Sequence, residues 1–317
     1  AAARERKWQK ALVLLSELEA PNIVHYNAAI DACGKSGQWE AALALLREMP
    51  HAPDAYSYGG AIGACGKGGQ PEAALALLAE MRDEHGLRPN SVVYNSAISA
   101  CRAAGQWAKA LELYEEVRAA GRADAISLNS ALAALQPDGR WEAALSLLGA
   151  AEASQRPPPD VVSYTTAITC LRTGGRWADA VAMLGRMRAA GVAPNEVTYA
   201  AAISAAAAGG EWVRACALLD EMEAALQPEM LATPAYVAAV SACAAAAQWR
   251  QALRLLVRMR RRTSLPPSAP AYNAAISACA RASQADVALG LLRRMVDESV
   301  RDARLRTLAR WSRGFAP

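Results

Sequence analysis

The chain has 317 residues, 53% of them hydrophobic and 20% charged, with a mean hydropathy of +0.04, a composition that supports a packed core and argues against disorder. A formal net charge of +4 permits an anionic partner without demanding one. No apolar run reaches the roughly 18 residues of a membrane span, and the opening AAARERKWQKALVLL lacks a secretory pattern.

In chain order, Trp8 to Glu19 reads as the second helix of a hairpin whose first helix is missing, so residues 1–22 are expected to be a partial repeat. Either the chain is cut inside a repeat or upstream residues are missing. From there a tyrosine marker returns at Tyr26, Tyr58, Tyr94, Tyr164, Tyr199, Tyr236 and Tyr272, with Leu128 filling the one gap, in steps of 32, 36, 34, 36, 35, 37 and 36 residues. With the marker as position four, eight repeats begin at Ile23, Ala55, Ser91, Ala125, Val161, Glu196, Thr233 and Ala269 and occupy residues 23–303. Residues 304–317 form a basic tail or cap.

Each repeat has the pattern of a helical hairpin. In the first, Tyr26, Ala29, Ile30 and Cys33 fall at i, i+3, i+4 and i+7, one face of a helix; Trp39, Ala42, Leu43, Leu46 and Met49 repeat the spacing on a second. Between them Gly37 stands where the first helix must end, and it recurs as Gly69, Gly105, Gly139, Gly175 and Gly210 before becoming Ala247 and Ser283. Pro53, Pro89, Pro159, Pro194 and Pro267 mark the exit from second helices. A single hairpin is too small to bury its own apolar faces, so neighbours must stack, and the expected fold is an all-α, right-handed α-solenoid superhelix.

The remaining distinctive residues follow the same register. Cys33, Cys65, Cys101, Cys243 and Cys279 hold position eleven, and Cys170 position ten. One thiol per repeat on the apolar face predicts packing, not metal or disulfide chemistry, and no Cys-x-x-Cys pair occurs. Cys216, on a second helix, has no partner motif. Trp39, Trp107, Trp141, Trp177, Trp212 and Trp249 share position seventeen, which favours interior packing over base stacking. His25, His51 and His85 share no register and form no nucleophile or metal constellation, so no catalytic site, metal or cofactor is expected.

Repeats such as VVSYTTAITCLRTGGRWADAVAMLGRMRAAGVAPN, residues 161–195, closely resemble the pentatricopeptide repeat, and the resemblance runs from about Trp8 to at least Met295. It implies an organellar protein, mitochondrial or plastid, that binds single-stranded RNA with one repeat facing each base. In that family position five and the last position of a repeat touch the base edge, and position two wedges between bases. Carried over, the resemblance pairs Asn27 with Asp54, Asn95 with Asp124 and Asn129 with Asp160, all implying uracil, and Thr165 with Asn195, implying adenine. The wedge position holds Val24, Tyr56, Val92, Ile126, Val162 and Val197, and Lys35 and Lys67 resemble phosphate-facing lysines.

Three repeats depart from the pattern, with Gly59 and Asn90, Ala200 and Ala232, and Val237 and Ser268 at the reading positions; Pro234 and Pro270 take the wedge position in the last two. The implied footprint is 5′-UNUUANNN-3′, read in support of transcript processing, stability or translation. The competing reading is a structural subunit of an organellar ribosome or another large complex, holding protein partners on the same surface without inserting into a membrane.

Overall fold

The computed structural model of the protein describes residues 2–154, 156–227, 233–263 and 267–296, and all regular structure among them is helical. α1 (Ala2–Ser16) precedes α2 (Ile23–Ser36) and α3 (Trp39–Glu48), α4 (Ala55–Lys67) and α5 (Pro71–Asp83), α6 (Ser91–Ala103) and α7 (Trp107–Ala119), and α8 (Ala125–Ala134) and α9 (Trp141–Ser154). There follow α10 (Val161–Thr173) and α11 (Trp177–Ala189), α12 (Glu196–Ala208) and α13 (Trp212–Ala225), α14 (Thr233–Ala245) and α15 (Trp249–Thr263), and α16 (Ala269–Arg281) with helical residues 285–296. The molecule is an all-α solenoid of helical hairpins. Its helices group into two compact halves, Ala1–Thr166 and Ala167–Pro317. The expected tail at 304–317 lies outside the described residues.

Side chains at the start of several first helices explain where they begin. Asp54 accepts from the backbone N–H of Tyr56 and Ser57 at 3.0 and 2.8 Å, and Ser57 Oγ accepts in return from the Asp54 N–H at 3.2 Å. This reciprocal capping box recurs at Asp124 with Ser127 and at Asp160 with Ser163, while Asn90 and Asn195 cap α6 and α12 from one side. Each such cap contributes about 1 kcal/mol.

First helices end in a left-handed residue. Gly37, Gly69, Gly105, Gly139, Gly175 and Gly210 have φ between 60° and 78°. Ala247 and Ser283 adopt the same conformation at 55° and 56° despite carrying a Cβ. The backbone therefore keeps its turn where the sequence has lost the glycine, at a strain of about 1 kcal/mol per residue.

Within each half, first helices pack on first helices, α2 to α4 to α6 to α8 and α12 to α14 to α16, while second helices pack on their own partner and on the next repeat. Small residues set the approach: a Cβ on Gly60 would stand 2.9 Å from Ile30 Cγ2, and one on Gly66 3.1 Å from Ala100 Cβ. The marker tyrosines are buried except Tyr26, which is half-buried. Three of their hydroxyls find carboxylates, Tyr58 donating to Glu80 at 2.8 Å, Tyr164 to Glu152 at 2.7 Å and Tyr236 to Glu223 at 2.5 Å, as a buried phenol requires. On α3 the buried residues are Ala42, Leu45 and Leu46, continued by Met49; Leu45 takes the place expected of Leu43, which is half-buried.

The tryptophans at position seventeen are half-buried rather than central to the core. Trp39 and Trp177 lie against the turn of the following repeat, where a Cβ on Gly68 or Gly209 would collide with the indole ring. Trp107 instead carries the Arg140 guanidinium, 4.3 Å above its ring.

Candidate nucleic-acid interface

At the starts of α4, α8 and α10 the last position of one repeat meets position five of that same repeat and positions two and three of the next. The last residue is the helix cap itself. Position two, the second residue of the helix, points outward: Val24, Tyr56, Val92, Ile126, Val162 and Val197 are between 54% and 66% exposed. An apolar residue left in water at the same place in six helices is not explained by packing.

Position five reaches back to the next cap. Asn95 Nδ2 donates to Asp124 Oδ1 at 3.1 Å and Oδ2 at 3.2 Å, and Ser127 Oγ donates to Asn95 Oδ1 at 2.6 Å. Asn129 makes the same bonds to Asp160 at 3.2 and 3.3 Å and accepts from Ser163 at 2.6 Å. Asn27 repeats them with Asp54 at 3.4 Å and Ser57 at 2.6 Å. Thus three of the expected pairs are joined, each within its own repeat, and a serine at position three of the next repeat, which the sequence reading passed over, holds both members. Its signal was present, since Asp followed three residues later by Ser resembles a capping box.

An amide has two N–H donors and two acceptor lone pairs, of which these bonds use one each. One donor and one acceptor are left to face a base edge such as that of uracil, whose N3–H stands beside carbonyl oxygens. Burial opposes ionisation of Asp54 and Asp124, but the hydrogen bonds from Ser57 and Asn27, and from Ser127 and Asn95, outweigh it and hold both carboxyls below their usual range. The carboxylates are therefore charged acceptors at neutral pH. Access differs: Asn95 and Asn129 are half-buried, whereas Asn27 is only 8% exposed.

Thr165 Oγ1 donates to the Val161 carbonyl of its own helix at 2.7 Å, and Asn195 Oδ1 accepts from the Thr198 N–H and hydroxyl, each at 2.9 Å. Thr165 belongs to the first half and Asn195 to the second.

Successive wedge residues bound hollows along the first half. Between Tyr56 and Val92 lies one of about 310 Å³, lined also by Gly59, Gly63, Lys67 and Asn90. Between Val92 and Ile126 lies another of about 540 Å³, lined also by Asn95, Lys67 and Arg102. The two candidate phosphate lysines are not equivalent. Lys35 Nζ is 2.5 Å from Asp31 Oδ2, a bond that raises its pKa and neutralises its charge locally; Lys67 borders both hollows.

Among the described residues no group of three or more His, Cys, Asp or Glu could hold a metal ion, and no helix is long and apolar enough to cross a membrane.

Comparison with known proteins supplies the context. The sequence profile of the PPR repeat family matches residues 21–67 and 159–208, and that of the PPR repeat matches 56–85, 92–122, 197–225 and 270–300. The crystal structure of the pentatricopeptide repeat protein PPR10 from maize is similar at a TM-score of 0.66 and 28% identity, over 92% of this chain and 42% of that one. The chain thus spans less than half of that protein's length. Two structures of PPR10 in complex with an 18-nt psaJ RNA element, one with three cysteine-to-serine substitutions, match at a TM-score of 0.43 and 19% identity, over 92% of this chain and 52% of theirs. No curated protein gives a significant match.

Proposed function

Since the chain belongs to the pentatricopeptide repeat family, we propose that it binds single-stranded RNA in a mitochondrion or plastid, one base per repeat, and so supports transcript processing, stability or translation. The observation that carries this reading is the constellation built three times over, Asn27, Asp54 and Ser57, then Asn95, Asp124 and Ser127, then Asn129, Asp160 and Ser163. Each keeps an unused donor and acceptor beside an exposed apolar residue on which a base can rest, with Asn95 and Asn129 half-buried and Asn27 more enclosed.

The bases read are those the amides can complement: uracil at the first, third and fourth repeats, with adenine at the fifth through Thr165 and Asn195. Lys67 contributes a phosphate contact more readily than Lys35, whose charge is already paired.

Competition binding tests this. An oligonucleotide containing 5′-UNUUA should displace its scrambled isomer, and Asn95→Thr should move the third-repeat preference from uracil toward guanine. Equal binding of both oligonucleotides, or none at physiological salt, assigns the groove to a protein partner in an organellar assembly instead. Ala200 and Val237, which offer no polar group at position five, are where such a partner would rest.

A further inference from the structure

One cysteine departs from the inert pattern of the others. Cys216 on α13 is half-buried, and its Sγ lies 3.7 Å from that of Cys243 on α14, which is fully buried. The sequence hides this pair because its members are 27 residues apart and on helices of different repeats.

We propose that Cys216 and Cys243 form a hydroperoxide-responsive dithiol whose disulfide staples the second helix of the sixth repeat to the first helix of the seventh. The half-buried sulfur meets the oxidant. Cys216 thiolate attacks the peroxide O–O bond, giving a Cys216 sulfenic acid and releasing the other oxygen as water or alcohol. Cys243, already in contact, then attacks the Cys216 sulfur, the S–S bond forms and water leaves. Two thiols and one hydroperoxide thus become one disulfide, one water and one water or alcohol. The reaction needs no third group from the protein.

The surroundings suit an attacking thiol. Hydrogen bonding from Cys243 brings the Cys216 pKa below the usual thiol value against the opposing effect of burial, with the Gln251 side chain and the Arg258 charge helping and Asp220 opposing. The resolving Cys243 is pushed the other way, chiefly by that same bond and by burial. By contrast Cys33, Cys65, Cys101, Cys170 and Cys279 are buried, and desolvation raises their pKa. A larger thiolate fraction makes Cys216 react faster than these at neutral pH, although its lower intrinsic nucleophilicity offsets part of the gain.

The test uses the full chain treated with hydrogen peroxide near pH 7, followed by alkylation and peptide mapping. The expected result is a peptide cross-linked between Cys216 and Cys243, and a melting temperature that rises on oxidation and falls back with dithiothreitol. In Cys243→Ala the cross-link should vanish and a sulfenic acid should be trapped at Cys216 by dimedone, forming more slowly because the variant also removes the hydrogen bond that lowers the Cys216 pKa. If Cys243→Ala loses its helical circular dichroism, Cys216→Ser is read instead, and Cys243 must then stay reduced. Oxidation of Cys216 no faster than that of Cys33, a stable Cys216 sulfenic acid in the unaltered protein, or oxidation of Cys243 in Cys216→Ser overturns the proposal.

Discussion

Asn95 donates its amide hydrogen to Asp124 at 3.1 Å, and the same carboxylate caps α8 of the next repeat through Ser127. One side chain therefore serves both the fold and the candidate base-reading edge. The two roles separate by substitution. Asp124→Ala loses the cap and should cost about 1 kcal/mol in urea unfolding as well as RNA affinity. Asp124→Asn keeps a capping oxygen but gives up the charge, so it should cost less stability than Asp124→Ala while uracil preference at the third repeat changes in competition binding.

Acid should weaken the same connections. Asp54 and Asp124 have folded-state pKa values below the usual carboxyl range, so their stabilisation is fully present above the unfolded value of about 3.9 and is lost as pH falls through the folded values. Melting temperature followed by circular dichroism should be insensitive to these groups above about pH 5 and should drop below about pH 4. Asp124→Asn should make that drop shallower.

The two left-handed residues that are not glycine are sites for stabilisation. Ala247→Gly and Ser283→Gly should each relieve strain and raise stability by up to about 1 kcal/mol, reduced by the greater freedom glycine gives the unfolded chain. Thermal melting of each variant checks this; a loss of stability would contradict the strain argument.

Gly68 should tolerate no side chain. Its backbone is right-handed, so the constraint is space alone, and the Cβ of Gly68→Ala would meet the Trp39 ring. Overpacking of this kind costs about 1–3 kcal/mol in chemical denaturation. Adding Trp39→Leu to Gly68→Ala should recover part of the loss, a coupling measurable by a double-mutant cycle.

Salt dependence should distinguish the two lysines. Lys67→Ala should reduce the slope of log affinity for single-stranded RNA against log salt by about 0.7, the value of one phosphate contact. Lys35→Ala should change it less, because Asp31 already holds that charge. Fluorescence anisotropy across a salt series gives both slopes.

Much of this molecule was legible because its order is local. The hairpin helices follow from residues three and four apart, and the turn position from recurring glycine, so Ala247 and Ser283 could be placed by register even without the glycine. Position two could be named from the repeat and is exposed in all six named helices. The resemblance paired Asn95 with Asp124, but not the serine that orients them or the cap that Asp124 supplies.

Sequence alone determined the repeat, its helices and the side chains presented at each position, since periodicity records interactions within one helix and its turn. Only the tertiary structure decided which of those side chains meet. The approach of neighbouring helices placed Cys216 against Cys243 and Trp39 against Gly68, and it left Asn27 more enclosed than Asn95. Contacts between helices depend on their spacing and rotation, and at about 3.6 residues per turn a shift of one residue turns a side chain to another face. A repeated motif fixes no such angle by itself.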